Sequence, residues 1–370
     1  MSLTVKQMTR AVVGLTRKAI PTRGWRRFAV GGTVLALAAF GTITALPAQA
    51  AHQQSTRTTA AANWNQCTPP PSPTLPGFRS EFVSVSGDSS LHYEIGGSGP
   101  VLVLLHGWPM TWWDFNAVMP TLAKSYTVIA FDLPGLGNSA PSTTGYDGAS
   151  IATILHNAVE TLGYGSQQIS LLGHDAGSNI AYAYARLFSS SVFRVMVIES
   201  ALNGYGLESL YGDSFHFLFN MQPSTVTEGI VNNVASSDAY LDYLYSFAAK
   251  PGAITPQDKA IWDADYACPA NREAGYNYYR AFSQDETFDT TTNTSPLTIP
   301  MAAMGGEDSF GSFVAQSFGN VDSDVSTIIA PGSGHYVPEE DPAFLGECAT
   351  LFFSPNPPAT APSGYATCMP

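Results

Sequence analysis

A short stretch near the middle of the chain constrains the fold more than any other sequence feature. Residues 169–172 form an apolar run typical of a buried strand, and residues 179–187 favour a helix. Between them lies Gly173-His174-Asp175-Ala176-Gly177. Glycines on both sides of Asp175 would let strand and helix pass close together, and the apex of such a turn holds a strained backbone. The pattern predicts a sharp strand–turn–helix with Asp175 projecting from its apex.

A carboxylate at that apex indicates covalent catalysis. A turn of this kind presents a nucleophile to a cleft, and a carboxylate that attacks carbon leaves an alkyl ester on the protein. Ser178 falls inside the predicted helix, so we do not expect it to be the attacking group. The alternative interpretation is a turn without a catalytic role.

Apolar runs alternate with helix-forming segments on both sides of this turn. The runs at residues 101–105, 127–131, 192–198, 298–304 and 325–329 are typical of strands buried on both faces. We expect helices at residues 113–123, 149–162, 310–318 and 342–353, and a hairpin of residues 82–86 and 91–95 around Gly87-Asp88. The alternation predicts an α/β fold with a mostly parallel central sheet covered by helices on both faces.

Residues 200–295 interrupt this alternation. They are rich in aromatic residues and asparagine and indicate helices without buried strands, which predicts a helical cap inserted over the cleft. We divide the chain into a signal peptide (1–50), a Pro-rich N-terminal arm (51–76), a first core part (77–202), the helical cap (203–295), a second core part (296–353) and a Pro-rich C-terminal tail (354–370).

The first fifty residues carry the pattern of an export signal. Basic residues crowd before residue 28, an uncharged and mostly apolar run follows at residues 28–46, and Ala48-Gln49-Ala50 is a small-x-small cleavage site. A transmembrane anchor is the alternative. We expect cleavage near Ala50 and a secreted mature protein with no membrane association.

The net charge and the number of cysteines indicate which partners to exclude and whether the cysteines are oxidised. The net charge is −13, with no basic stripe beyond the N-terminus, which argues against a nucleic-acid partner. The four cysteines are an even number in an exported chain, which predicts two disulfides with three possible pairings. We favour Cys348 with Cys368, which would pin the Pro-rich tail, and hence Cys67 with Cys268. No cysteine spacing suits zinc, so we expect no metal.

Four polar residues follow predicted strands. Asp175, Glu199, Asp308 and His335 each come at the C-terminal end of an apolar run. Ligands of parallel sheets bind beyond these ends of the strands. The sequence therefore predicts that the four side chains converge on one site.

Further motifs resemble the α/β-hydrolase superfamily, in its epoxide hydrolase and haloalkane dehalogenase branch, from about Gly77 to Phe353. The order nucleophile, acid, histidine along the chain agrees with that fold. His106-Gly107-Trp108-Pro109 resembles the oxyanion-loop motif of the family. The resemblance implies an oxyanion hole formed by the N–H groups of Trp108 and Ala176, with a cis-proline turn aiming the first of them into the site.

Three segments resemble a subgroup of secreted bacterial epoxide hydrolases. They are residues 131–137, residues 214–219, where Phe215 replaces the usual tryptophan, and residues 277–281. In that subgroup a histidine and a tyrosine hold the epoxide oxygen. The resemblance implies that His216 and Tyr279 have this role here, although residue type alone would also fit packing roles for both.

The resemblance implies an epoxide hydrolase that needs no cofactor and acts on a small apolar epoxide. Asp175 would form the ester, and His335 would activate the water that hydrolyses it. The acid that orients His335 is Glu199 in the resembled subgroup and Asp308 in most epoxide hydrolases, and we favour Glu199. The alternatives are a haloalkane-dehalogenase-like hydrolase and a catalytically idle binding protein. A homodimer agrees with the resemblance, which leaves the oligomeric state open.

Overall fold

The computed structural model describes residues 72–85 and 90–370. The predicted signal peptide, most of the Pro-rich arm, Cys67 and the Gly87-Asp88 turn lie outside these residues. None of the described helices has both the length and the apolar character needed to cross a membrane.

One eight-stranded sheet, in the order β1-β2-β4-β3-β5-β6-β7-β8, organises the described chain. Its strands are β1 Phe78–Ser84, β2 Ser90–Gly97, β3 Val101–Leu105, β4 Thr127–Phe131, β5 Ile169–His174, β6 Val192–Ile198, β7 Met301–Gly306 and β8 Val325–Ala330. β2 runs antiparallel to β1 and β4, and every other pair is parallel. The predicted fold class is therefore confirmed, and β7 starts later than predicted, directly after Pro300, which cannot donate to a sheet ladder.

Helices cover the sheet and fill the interval between β6 and β7. They are α1 Met119–Leu122, α2 Gly148–Thr161, α3 Ala176–Leu187, α4 Phe215–Asn220, α5 Ser224–Ile230, α6 Val234–Tyr245, α7 Pro256–Tyr266, α8 Pro269–Arg280, α9 Phe282–Thr292, α10 Phe313–Phe318, α11 Val337–Glu340 and α12 Pro342–Phe353. The single helix predicted at residues 113–123 is wrong: a 3₁₀ helix, Trp112–Phe115, precedes the short α1. Pro120 has no N–H to continue a helical ladder back to Asn116.

The helical insertion between β6 and β7 contacts the end of the sheet where the parallel strands finish. It contains α4 to α9 and no strand. Tyr278 donates to the main-chain oxygen of Pro134 at 2.9 Å, and Trp113 donates through its indole to Asp258 at 2.8 Å. The insertion therefore lies over the loops that follow β3 and β4, while the exact limits of a cap domain stay a prediction.

A disulfide joins Cys348 on α12 to Cys368 in the Pro-rich tail, which confirms the predicted pairing. Cys268 is also disulfide-bonded. Its predicted partner, Cys67, lies outside the described residues, so that pairing stays a prediction.

Candidate active site

Asp175 occupies the tight turn between β5 and α3. Its backbone has φ +49°, a left-handed conformation that side chains rarely adopt. A Cβ at Gly173 would collide with the main chain of Gly177, and a Cβ at Gly177 would collide with the main chain of Leu105. Both glycines are therefore required for the close passage of strand and helix that raises Asp175 above the sheet.

The two carboxylate oxygens of Asp175 have different neighbours. Oδ1 accepts a hydrogen bond from the main-chain N–H of Trp108 at 3.0 Å, and Oδ2 lies 3.7 Å from Nε2 of His335. The Trp108–Pro109 peptide bond is cis. Ala176 begins α3, so its N–H belongs to the first turn, whose donors have no partner within the helix. One oxygen is thus held by the loop after β3 while the other faces the histidine.

His106 shapes the loop that presents Trp108. Its Nε2 accepts from the N–H of Leu133 at 3.0 Å, so the remaining ring nitrogen, Nδ1, donates to the carbonyl of Gly107 at 2.7 Å. Burial lowers the pKa of His106, which keeps it neutral. This histidine ties the loop after β3 to the loop after β4.

Glu199 pairs with the ring of His335. Nδ1 of His335 lies 3.3 Å from Oε2 of Glu199, which is fully buried at the end of β6 with φ +53°. The other oxygen accepts from the N–H groups of Gly306 at 2.5 Å and Phe310 at 3.3 Å. A carboxylate on Nδ1 keeps the proton there and leaves Nε2 free to accept one on the side of Asp175.

Asp308 lies on the same loop as Phe310 but is exposed. Its main-chain N–H donates to the carbonyl of Ser333, while Glu199 rather than Asp308 contacts the ring of His335. The structure thus brings Asp175, Glu199 and His335 together and leaves the Asp308 side chain at the surface.

A second histidine supports His335 from behind. Nδ1 of His174 lies 2.8 Å from Asp114, and Nε2 lies 2.8 Å from the main-chain oxygen of His335. Both partners are acceptors, so both ring nitrogens donate. Burial alone would lower the pKa of His174, but the charge of Asp114 and its hydrogen bond outweigh burial and raise the pKa to about 9.

His216 and Tyr279 bring their rings together on the helical insertion. Their ring centroids are 5.7 Å apart with planes at 87°, and the Tyr279 ring lies 5.2 Å from that of Trp108. Burial, followed by the charge of Asp175, raises the pKa of Tyr279 well above its ordinary value. Burial, followed by the charge of His335, lowers the pKa of His216 to about 3. Tyr279 is therefore protonated and His216 uncharged near neutral pH.

Three polar residues around this pair were given no role in the sequence analysis. Ser214 lies 2.6 Å from Nδ1 of His216, and its hydroxyl also meets that of Tyr243 at 2.8 Å. Asn220 lies beside the Tyr279 phenol and accepts from Tyr240 at 2.6 Å. Ser214 begins the segment 214–219 that resembles the family motif, and Asn220 directly follows it, so their positions could have pointed to the site. Tyr243 lies on α6 and no sequence pattern connects it to the site.

The loop of His335 is tied to the helical insertion. Glu340 accepts hydrogen bonds from the main-chain N–H groups of Ala249, Lys250, Gly334 and Tyr336. The N–H of His335 itself donates to the carbonyl of Phe247 at 3.1 Å. The buried carboxylate of Glu340 thus joins the residues on either side of His335 to Ala249 and Lys250, and His335 itself is bonded to Phe247.

Within residues 72–85 and 90–370, no group of three or more His, Cys, Asp or Glu side chains is placed to hold a metal ion. The expectation that the protein needs no metal or organic cofactor stays a prediction.

A family profile and a curated relative both match most of the described chain. The sequence profile of the family described as the alpha/beta hydrolase fold matches residues 100–310. The chain is 33% identical over 282 residues to the soluble epoxide hydrolase of Corynebacterium sp. (strain C12), a match that spans 72% of this chain and 94% of that protein.

Solved structures of epoxide hydrolases also resemble this chain. The epoxide hydrolase CorEH superimposes with a TM-score of 0.68 at 29% identity, covering 75% of this chain and 99% of that chain. The Cif epoxide hydrolase from Acinetobacter nosocomialis gives a TM-score of 0.68 at 24% identity, covering 85% of this chain and 99% of that chain. At that identity the second likeness concerns the fold alone.

Proposed function

The chain belongs to the α/β-hydrolase family, as its motifs predicted, and on that premise we propose that it is an epoxide hydrolase working through a covalent ester on Asp175. The observation that carries the proposal is the pairing of the uncharged imidazole of His216 with the protonated phenol of Tyr279 in the helical insertion. Epoxide opening requires a nucleophile on one side of the ring carbon and donors at the oxygen. Named epoxide hydrolases among the relatives support the same reaction class.

In the first step, Oδ2 of Asp175 attacks an epoxide carbon while Oδ1 stays on the N–H of Trp108. The carbon–oxygen bond breaks, and the departing oxygen takes its proton from the Tyr279–His216 pair. Positioned acid–base groups accelerate such a step by roughly two to four powers of ten. The product of this step is a hydroxyalkyl ester on Asp175.

In the second step, His335 removes a proton from water through Nε2, and the water oxygen attacks the ester carbonyl. The negative charge that develops on Oδ1 is stabilised by the N–H groups of Trp108 and Ala176. The bond between the carbonyl carbon and Oδ2 then breaks, and Oδ2 leaves in the diol with the proton held by His335, while the acid left on Asp175 loses its proton to solvent. Glu199 stabilises the imidazolium formed on His335, because it lies 3.3 Å from Nδ1. We assign this role to Glu199 rather than Asp308, whose side chain is exposed.

The substrate class follows from the side chains around the pair. Trp108, Phe217 and Phe247 lie beside His216 or Tyr279, and they offer apolar surface without a cation. Such surroundings favour a small apolar epoxide over a carboxylate or phosphate ester.

Dehalogenation is the second candidate, because it also uses an aspartate ester and a histidine. A departing halide needs N–H donors around it. Ala176 follows the nucleophile where haloalkane dehalogenases have tryptophan, and Phe217 follows His216 where fluoroacetate dehalogenases have tryptophan. These residues favour the epoxide reaction.

A labelling experiment tests the proposal against both alternatives. The full chain is mixed with styrene oxide, 1,2-epoxyhexane, cyclohexene oxide and phenyl glycidyl ether in ¹⁸O water at limiting epoxide. The ester mechanism places an unlabelled carboxylate oxygen in the first diol and leaves ¹⁸O on Asp175. Diol labelled in the first turnover would instead indicate direct attack by water. Halide release from 1-bromobutane in a parallel incubation, with no diol from any epoxide, would indicate a dehalogenase, and binding without product would indicate an idle protein.

We propose that the protein is exported, with cleavage near Ala50 and a second disulfide between Cys67 and Cys268. The support is the leader-like composition of residues 1–50 and the Cys348–Cys368 disulfide, which fits an oxidising compartment. N-terminal sequencing of protein recovered from culture medium should begin near Ala51. Retention of the leader in membranes would contradict the proposal.

A further inference from the structure

A chain of hydrogen-bonding groups leads from the helical insertion to His216. Nδ1 of His216 lies 2.6 Å from Oγ of Ser214, and this oxygen lies 2.8 Å from Oη of Tyr243. Oη of Tyr243 in turn accepts a hydrogen bond from the main-chain N–H of Phe215 at 3.0 Å. Ser214 is the residue before α4, yet its hydroxyl makes no capping bond to that helix. Its hydroxyl therefore contacts side chains where a serine at this position commonly contacts main-chain N–H groups.

The direction of the donors decides what His216 can do. A neutral imidazole carries one N–H. If that proton were on Nδ1, Nε2 would present a lone pair to a departing epoxide oxygen and repel it. If Tyr243 donates to Ser214 and Ser214 donates to Nδ1, the proton of His216 is on Nε2. Only this second direction provides a donor for the reaction.

We propose that Ser214 and Tyr243 are positioning residues that hold His216 in the Nε2–H form and relay a proton to it during epoxide opening; this inference rests on the proposed function. As the carbon–oxygen bond breaks, the Nε2 proton passes to the departing oxygen. The Ser214 proton moves to Nδ1, the Tyr243 proton moves to Ser214, and water returns a proton to Tyr243, which is partly exposed. The histidine ends the step neutral but with its proton on Nδ1. It returns to the Nε2–H form between turnovers, when Nε2 takes a proton from water and Nδ1 returns its proton through Ser214 and Tyr243 to the hydroxide left in solvent.

The environment of His216 explains why such a relay is useful. Its side chain is 8% exposed, and burial lowers the pKa of His216 to about 3, so an imidazolium is not available as the acid near neutral pH. A neutral imidazole is a weak acid unless its second nitrogen gains a proton as the first loses one. The hydroxyl of Ser214 is placed to supply that proton.

The test separates ring opening from ester hydrolysis. The full chain is mixed with the panel epoxide that wild type turns over fastest, and the fraction of alkylated protein is followed by rapid quench and intact mass. Ser214→Ala should slow alkylation by about 10–100-fold, below the full range of a positioned acid–base group. Tyr243→Phe should slow it less, because Ser214 keeps its own proton, and the rate of ester hydrolysis should change in neither variant.

Matched variants control for packing. Ser214→Thr retains the hydroxyl and should restore alkylation. Ser246→Ala removes a hydroxyl that bonds only the main chain of Tyr243, and Tyr211→Phe removes a phenol that bonds Asn203, so both should behave as wild type. The solvent isotope effect on alkylation should be smaller in Tyr243→Phe than in wild type, a change that loss of packing would not produce.

Two outcomes overturn different claims. Wild-type alkylation in Ser214→Ala, with the ester still forming on Asp175, would reject the relay and leave the proposed function intact. Diol that carries ¹⁸O from the first turnover of wild type would reject the proposed function itself. If Ser214→Ala does not fold by circular dichroism, the comparison of Ser214→Thr with Tyr243→Phe decides: equal alkylation rates and equal isotope effects would reject the relay.

Discussion

The imidazole of His174 donates a hydrogen bond to the main-chain carbonyl of His335 at 2.8 Å. The residue that directly precedes Asp175 thus supports the backbone of the histidine that faces Asp175. The other nitrogen of His174 is bonded to Asp114. Both histidine and carboxylate are fully buried. The backbone of His335 is therefore connected to a buried ion pair as well as to Glu199.

This arrangement predicts a pH dependence of stability. The pKa of His174 is about 9 in the fold against an ordinary value of 6.5. A raised pKa stabilises the fold while the group is protonated, so this contribution is complete below pH 6.5 and is lost as the pH rises through about 9. The difference in unfolding free energy between wild type and His174→Gln should shrink over that interval.

The measurement is urea unfolding from pH 6 to pH 10 with His156→Gln as control. Buried carboxyls also titrate there, since burial, followed by the charge of Asp285, raises the pKa of Asp289 to about 9. Only the difference between variant and wild type is therefore diagnostic. A difference that stays constant with pH would contradict an imidazolium at position 174.

The second prediction separates the two candidate acids. Glu199→Gln should leave ring opening intact and slow ester hydrolysis by about two to four powers of ten, because His335 loses the carboxylate that stabilises its charge. Asp308→Asn should hydrolyse the ester normally. Intact mass during turnover of styrene oxide measures the trapped ester. If the ester accumulated in Asp308→Asn while Glu199→Gln turned over normally, Asp308 rather than Glu199 would be the acid that orients His335.

The third prediction concerns the donors to the epoxide oxygen. Tyr279→Phe and His216→Gln should each slow alkylation of Asp175 by about 100-fold, with little effect on ester hydrolysis. Tyr278→Phe is the matched control, since that phenol bonds the main chain of Pro134. Alkylation rates by rapid quench provide the measurement, and equal losses in Tyr278→Phe and Tyr279→Phe would show that aromatic packing, rather than donation, is responsible.

The fourth prediction concerns Glu340. Glu340→Gln replaces one acceptor oxygen by an amide nitrogen, which only donates. With the amide oxygen kept at the N–H of Tyr336, the nitrogen takes the place of Oε2, so the bonds from Ala249 and Lys250 are lost. We expect a loss of ~2–3 kcal/mol in unfolding free energy and faster hydrogen exchange at residues 249 and 250. Glu347→Gln, on the next helix, is the control. Unchanged exchange at these amides would show that Glu340 does not hold them.

Much of this molecule could be predicted because its strands are short apolar runs with polar residues at their ends. Asp175, Glu199 and His335 all follow such runs, and parallel pairing brings these ends to one edge. The family resemblance supplied His216 and Tyr279. Their ring contact depends on how α4 and α8 pack, which no local pattern specifies.

Other features could not be predicted for physical reasons. Tyr243 bonds Ser214 across helices, and a tyrosine on a helix surface has no local signal for such a contact. Glu340 lies in the first turn of the short helix α11, where an acidic residue is usual because it interacts favourably with the helix dipole. Its bonds to four main-chain N–H groups could therefore not be predicted from its position in the sequence. The single helix expected at residues 113–123 is instead a 3₁₀ helix followed by α1, because Pro120 lacks the N–H that a continuous helix needs.

The attachment of Phe247 and Glu340 to the loop of His335 has a consequence for protein engineering. A foreign helical insertion transplanted to widen the substrate range would replace Phe247, Ala249 and Lys250 together with the lining of the site. His335 and Glu340 would then lose their partners in the insertion. Grafts should therefore keep residues 247–250 as well as His216 and Tyr279. Ester hydrolysis lost in a graft that keeps these two donors but replaces residues 247–250 should return when residues 247–250 are restored.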